Sequence, residues 1–224
     1  MKTVNIYFIL AFFGIAISSC EKEEVYCCDK AINSWIKENI DDVRSMTRSA
    51  WIELPEELKG PVFGAFSSEQ KSIFWNERMK EILTLEWNKE EKDHLKKLYN
   101  AILTRKYWFD DAKNKTESIE DEISLFAFKW IDYAKEELQW DEKLIFAIVG
   151  SGNRIVSKTG ELYVVDKQNQ HPRLKSGNER ACNCNQKYDF CSYPEPDCLN
   201  HECEERPYCG WLLLSKCNGL CGIK

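Results

Sequence analysis

Eight of the chain's eleven cysteines, Cys182, Cys184, Cys191, Cys198, Cys203, Cys209, Cys217 and Cys221, stand in its last 43 residues. The 153 positions from Asp29 to Ala181 contain none. Thiols at this density cross-link: oxidised, they pair as disulfides; reduced, they ligate a soft metal such as zinc. A segment this short buries too little apolar surface to fold on a core alone, so one of the two chemistries must hold it. The gaps between successive cysteines are one, six, six, four, five, seven and three residues. They do not repeat the C-x₂-C knuckle of zinc sites. His201 with Cys203 offers a mixed pair, but zinc leaves most of the eight thiols without a role. In an exported chain the even count points to four disulfides, with zinc as the alternative. A bridge between Cys182 and Cys184 is disfavoured on geometry, and spacing alone does not give the connectivity.

Oxidation depends on compartment, which the N-terminus addresses. Lys2 precedes an apolar run from Val4 to Ile17, broken only by Asn5 and Gly14, and Ile17-Ser18-Ser19 leads into Cys20. This is the charged, apolar, small-residue order of a signal peptide. The run is shorter than the roughly 18–20 apolar residues that span a bilayer. Its ending resembles a bacterial lipobox. That resemblance implies cleavage before Cys20 and diacylation of the Cys20 thiol; an ordinary secretory signal is the alternative. Either one exports the chain to where disulfides form. Glu21-Lys22-Glu23-Glu24 looks like the surface-export signal of some Gram-negative lipoproteins, and also suits a solvated tether. The expected location is the cell envelope, with the lipid in the outer membrane. Neighbours Cys27 and Cys28 would form a strained bridge with each other, so pairing elsewhere or staying reduced are both open.

The elements that position the cysteines begin with a helical body. Ile32, Trp35, Ile36, Ile40, Val43 and Met46 recur at three- and four-residue steps, the period of one helix face. Pro55 and Gly60-Pro61 predict a loop. Ser67 with Gln70, and Asn88 with Glu91, are capping-box pairs that open helices carrying Phe74, Trp75, Arg78 and Ile82, then Leu95, Leu98, Tyr99 and Ile102. A further helix is predicted through Ile119, Ile123, Phe126, Trp130, Tyr133 and Leu138, and Asp141 caps a short apolar segment from Leu144 to Val149. Aromatic residues at helical spacing are read as core. After Gly150-Ser151-Gly152-Asn153 the pattern turns extended: Arg154–Ser157 and Glu161–Val165, joined by Lys158-Thr159-Gly160, read as a β-hairpin. Asp166 to Arg180 is polar and basic, reads as a linker, and suits a trypsin-like protease.

Within this body no catalytic motif stands out: there is no G-x-S-x-G, H-E-x-x-H, phosphate loop or dinucleotide fingerprint. His94 lies in the charged run Glu90–His94 and is read as solvated. No enzymatic activity and no cofactor are expected. A formal net charge of −6 argues against nucleic acid as a partner.

In the tail, Pro194, Pro196 and Pro207 are turn-formers, and Trp211-Leu212-Leu213-Leu214 is the one strongly apolar run. Those four residues form either the miniature core of the cross-linked module or an exposed contact patch. Ala181-Cys182-Asn183-Cys184, the six-residue gaps that follow, Cys209-Gly210-Trp211 and Cys217-Asn218-Gly219 resemble fulvocin C, an eight-cysteine bacteriocin, and the lipoproteins related to it. Ser67 through Trp75 also looks like the helical region of that family. The resemblance covers about 43 residues closely, and the three-residue gap between Cys217 and Cys221 is longer than the bacteriocin's last gap. It implies four disulfides among the eight cysteines, an antibacterial tail, and a target on competing bacteria. It does not identify an immunity partner. Four basic and six acidic residues between Ala181 and Lys224 fit a specific target better than general attraction to anionic lipid.

The expected fold is mainly α: a small antiparallel helical domain, a short β-hairpin, then a small disulfide-rich C-terminal module. The expected divisions are a signal peptide (1–19), acylated tether (20–28), helical domain (29–150), hairpin and linker (151–180) and eight-cysteine module (181–224). The expected function is a lipid-anchored envelope protein whose module is an antibacterial precursor or contact-dependent effector. The alternative is a non-enzymatic binding lipoprotein that uses the module as a recognition scaffold.

Overall fold

Side-chain caps set where the helices begin. In the computed structural model, which describes residues 25–27, 29–111, 114–163, 182, 184–187, 191, 197–200, 202–203 and 205–222, both capping boxes are formed. Ser67 Oγ accepts from Gln70 N–H at 3.2 Å while Gln70 Oε1 accepts from Ser67 N–H at 3.1 Å. Asn88 and Glu91 make the same exchange at 2.9 and 2.8 Å. Each satisfies two backbone donors that a helix start otherwise leaves open. Asp29, Thr47, Thr116 and Asp141 cap four more helices through their side-chain oxygens.

The helices in order are α1 (Lys30–Glu38), α2 (Ile40–Ser45), α3 (Arg48–Ile52), α4 (Glu56–Ala65), α5 (Ser68–Ile82), α6 (Lys89–Thr104), α7 (Glu117–Glu136) and α8 (Glu142–Ile145). A 3₁₀ turn at Lys106–Phe109 follows α6, and a π turn at Phe146–Gly150 extends α8. Gly60-Pro61, predicted as a loop, lies inside α4. Proline inside a helix costs ~3 kcal/mol. Val62 and Phe63, both fully buried, contribute ~1.5–3 kcal/mol each, so core packing overrides the local preference.

Phe74 on α5 is the hub of the core. Its ring lies 4.9 Å from Trp51, 5.2 Å from Phe63 and 5.9 Å from Trp75, centroid to centroid. Behind it Arg78 is fully buried. Its Nη2 donates to Ala147 O at 2.6 Å, and its Nη1 reaches Glu81 at 3.0 Å. Arg48 donates to the same Glu81 and to Gly152 O. Burial, and then Arg48, lower the Arg78 pKa to about 9, so the guanidinium stays charged at neutral pH. The two arginines fasten the 147–152 segment to the bundle.

His94 is not solvated. It shares a helix face with Glu91, Leu95 and Leu98, at the three- and four-residue steps that face the core. Its ring stacks on Trp130 at 4.4 Å and Tyr133 at 4.8 Å, and its Nε2 meets Trp130 O at 3.0 Å.

The predicted hairpin is present and short. Ile155 pairs with Leu162, Val156 N–H donates to Glu161 O, and Tyr163 N–H donates to Arg154 O. The cysteine-rich region forms two small antiparallel sheets: β1 (Asp197–Leu199) with β4 (Leu220–Gly222), and β2 (Arg206–Cys209) with β3 (Ser215–Cys217). A 3₁₀ turn at Trp211–Leu213 joins β2 to β3. Among the described residues no helix is long and apolar enough to cross a membrane.

Candidate functional site: the disulfide module and its seat

All eight C-terminal cysteines are bridged: Cys182–Cys203, Cys184–Cys198, Cys191–Cys221 and Cys209–Cys217. Cys184–Cys198 is nested inside Cys182–Cys203, and Cys191–Cys221 crosses both, starting inside the loops they close and ending outside them. The sulfurs gather in two buried clusters, one of Cys182, Cys209 and Cys217 with Cys203, the other of Cys184, Cys191 and Cys198 with Cys221. Cys182 and Cys184 take different partners, in keeping with the geometric argument.

The apolar run behaves differently from either sequence alternative. Trp211, Leu212 and Leu213 are buried, but they belong to the core of the helical body rather than to a core inside the module. Trp211 sits edge-on to Trp130 (5.5 Å) and Phe126 (6.1 Å), two residues one turn apart on α7. Leu214 is half-buried against the same core. The contact-patch expectation for Trp211–Leu214 is thus corrected: the patch exists, and α7 with the Phe146–Gly150 turn covers it. The physical reason is area. A module cross-linked around its own sulfurs has no interior left for a tryptophan and two leucines, whereas the body offers ~1.5–3 kcal/mol for each such side chain buried.

Tyr208 is the second anchor. Its hydroxyl donates to Gly64 O at 3.2 Å, and its ring lies 6.0 Å from Phe63. A Cβ at position 64 would stand 1.8 Å from Tyr208 Cε2, so only glycine admits the ring. Lys71, itself buried, places Nζ 5.5 Å from the Tyr208 ring centroid and 3.8 Å from Asp111. Nearby Lys115 has its pKa lowered to about 8 by burial and then by Lys71. Outside this patch, Lys187 Nζ donates to Ser124 Oγ on α7.

Between the two anchors the backbone is strained. Tyr208, Leu212 and Leu213 have φ of 72°, 51° and 57°, and Gly210 has φ 66°. Left-handed conformations cost non-glycine residues roughly 1–2 kcal/mol each. They persist where the surroundings over-determine them, and they cluster at functional segments. Here Cys209–Cys217 closes the loop from below while the body holds its tip from above.

A cleft of about 280 Å³ opens at the seam of body and module, lined by Trp51, Lys59, Asn153, Tyr208 and Cys209 among others. Lys59, buried in its wall, donates to Asn153 Oδ1 at 2.7 Å and to Glu56 at 2.9 Å. Cys27 is buried and lines the same cleft.

Cys20, Cys28, the basic linker, His171, His201 and the Tyr193–Pro196 turn lie outside the described residues. Nothing in the sequence marks Tyr208, Gly64, Lys71 or the Phe126–Trp130 pair as parts of a seat. Only the helical spacing of Phe126 and Trp130 was visible, and it reads equally well as ordinary core.

No family model, curated protein or solved structure matches the chain.

Proposed function

We propose that this is an exported, lipid-anchored envelope protein whose helical body holds a bacteriocin-like disulfide module with its apolar tip covered. Cys20 carries the lipid, the body folds on the tethered chain, and the module rides on α4, α7 and the Phe146–Gly150 turn. Cutting the basic linker between Asp166 and Arg180 removes the covalent link, and undocking then presents Trp211, Leu212 and Leu213 to a target on a competing bacterium. The observation that carries this reading is the placement of the module's large apolar residues in the body's core rather than in its own. Four bridges keep the released segment structured after the body is gone. The acidic balance of the tail directs it to a specific protein or surface target rather than to anionic lipid.

The test uses the whole oxidised chain with a site-specific protease sequence placed between Asp166 and Arg180. Uncut chain is expected to be inert toward sensitive bacteria, and the cut and separated module to inhibit growth. Equal inhibition by uncut chain would contradict the masking. Inertness of both would favour the second reading, a binding protein in which the module stays docked for life. One feature favours that second reading: the open cleft at the seam, whose lining comes from both parts.

A further inference from the structure

A buried ammonium stands in the wall of the cleft at the seam, and its surroundings suit an incoming carboxylate. The Lys59 backbone is fixed, because its carbonyl accepts from Trp51 Nε1 at 2.9 Å. Its side chain is only 5% exposed. Nζ lies between Asn153 Oδ1, at 2.7 Å, and Glu56 Oε2, at 2.9 Å, and both residues also line the cleft. The Trp51 ring, 5.6 Å from Nζ, closes another side. The Glu56 side chain is 78% exposed. Exposed pairs three residues apart on a helix are weak, so Glu56 is the replaceable partner.

Two donors at this spot are left over. An ammonium carries three N–H groups and a carboxamide two. Lys59 gives one N–H to Glu56 and one to Asn153, and neither its third nor Asn153 Nδ2 donates to any of the described residues. Asn153 is itself buried. Buried donors without acceptors are costly, and a single carboxylate accepts from both.

The remaining walls are mainly apolar, with Trp51, Pro61 and Phe146 from the body and Tyr208 and Leu213 from the module. They are set in advance. Arg48 donates to Gly152 O and Arg78 to Ser151 O, which fixes the segment that carries Asn153. The Cys209–Cys217 bridge closes the loop that carries Leu213. A volume of about 280 Å³ stands at the small end of ligand pockets, ~300–1,000 Å³. Glu57, exposed on the same lining, adds negative charge and disfavours a doubly charged anion such as phosphate.

We propose that this cleft binds a small monocarboxylic acid whose apolar body is a single ring on a short chain. Its carboxylate takes the place of Glu56 on Lys59 and accepts from Asn153 Nδ2, and its body lies against the apolar walls. The buried ammonium keeps a carboxylate partner throughout. The site needs the module docked and nothing more, so it stands whether the module is later freed or stays in place.

The experiment is isothermal titration of the purified oxidised chain with 3-phenylpropionate, and with 3-phenyl-1-propanol, which has the same body and no carboxylate. One site per chain with a Kd at or below about 1 mM is expected for the acid. The alcohol should bind at least about tenfold more weakly, the scale of one hydrogen bond to a charged group. Lys59→Met should weaken the acid by at least the same factor. Because that change also alters the wall, Glu56→Gln is the deciding variant. It lies at an exposed position and removes the competing carboxylate, so it should tighten the acid about two- to fivefold, which structural damage does not do. No saturation up to about 10 mM acid, equal binding of acid and alcohol, or an affinity unchanged or weakened in Glu56→Gln overturns the proposal.

Discussion

Replacing Trp211 by alanine deletes the largest side chain that the module inserts into the helical body. The side chain is fully buried, and large-to-small changes of this kind cost ~3–5 kcal/mol. That range includes the edge-on contacts with Trp130 and Phe126, worth ~0.5–1.5 kcal/mol each beyond area. Trp211 Nε1 has no hydrogen-bond partner among the described residues, so no lost hydrogen bond adds to the figure. The assay is guanidinium unfolding of the oxidised chain, followed by far-ultraviolet circular dichroism, which reports the helices and hence the body. With a denaturant slope of ~4 kcal/mol per molar, a loss of ~4 kcal/mol lowers the midpoint by ~1 M. Trp211→Phe should lose less, because the ring contacts survive and the unpartnered N–H disappears. Phe128→Ala is the control: its side chain is 67% exposed, and such surface changes stay within ~0.5 kcal/mol. An unchanged helical midpoint in Trp211→Ala would mean that the tip is not part of the body's core.

Gly64→Ala should displace Tyr208 and cost ~1–3 kcal/mol, and a double-mutant cycle with Tyr208→Ala should show coupling, since the nearest atoms the added methyl meets all belong to that side chain. Acid should destabilise the body through His94: burial lowers its pKa to about 4, below the unfolded ~6.5. The unfolded chain therefore binds the proton more readily, so the contribution is complete above about pH 6.5 and is lost as pH falls toward 4. The loss amounts to ~3 kcal/mol at ~1.4 kcal/mol per pH unit; His94→Gln should flatten that part of the stability-against-pH curve. Arg78→Ala should cost ~3–5 kcal/mol in thermal or denaturant unfolding, because it strands Ala147 O and unbalances Glu81. Arg78→Lys should not restore it. Removing Cys191–Cys221 should destabilise more than removing Cys209–Cys217, since the separations of 30 and 8 residues correspond to ~3.6 and ~2.5 kcal/mol of loop entropy.

Local signals in the chain were legible where local physics decides. The capping pairs at Ser67 and Asn88 started helices where their side chains place them, and the apolar period gave the long helix through Phe126 and Trp130. Gly60-Pro61 misled because the local cost of proline is smaller than the burial of Val62 and Phe63, which no window of neighbours reveals. His94 misled for a related reason: the charged residues beside it are solvated, yet a 100° rotation per residue turns His94 itself inward. Within the module, the count of cysteines and their export context pointed to disulfides, but pairing depends on how β1 meets β4 and β2 meets β3. The seat was the least legible part. Trp211, Leu212, Leu213 and Leu214 read from sequence as either the module's own core or an exposed contact patch. Their destination required knowing that α7 carries Phe126 and Trp130 to the same place, across some 80 residues of chain. The strained φ values at Tyr208, Leu212 and Leu213 leave no mark in the sequence, since none of these residue types favours that conformation.

In the proposed function a covered module is carried to the envelope and then freed. Intact mass spectrometry of membrane and culture fractions from the native producer, before and after reduction, tests this most directly. The expected result is an acylated chain beginning at Cys20 in the membrane, and in the medium a C-terminal fragment that gains one hydrogen per bridged cysteine on reduction. Finding only the full-length acylated chain, bridges intact and nothing in the medium, would contradict release.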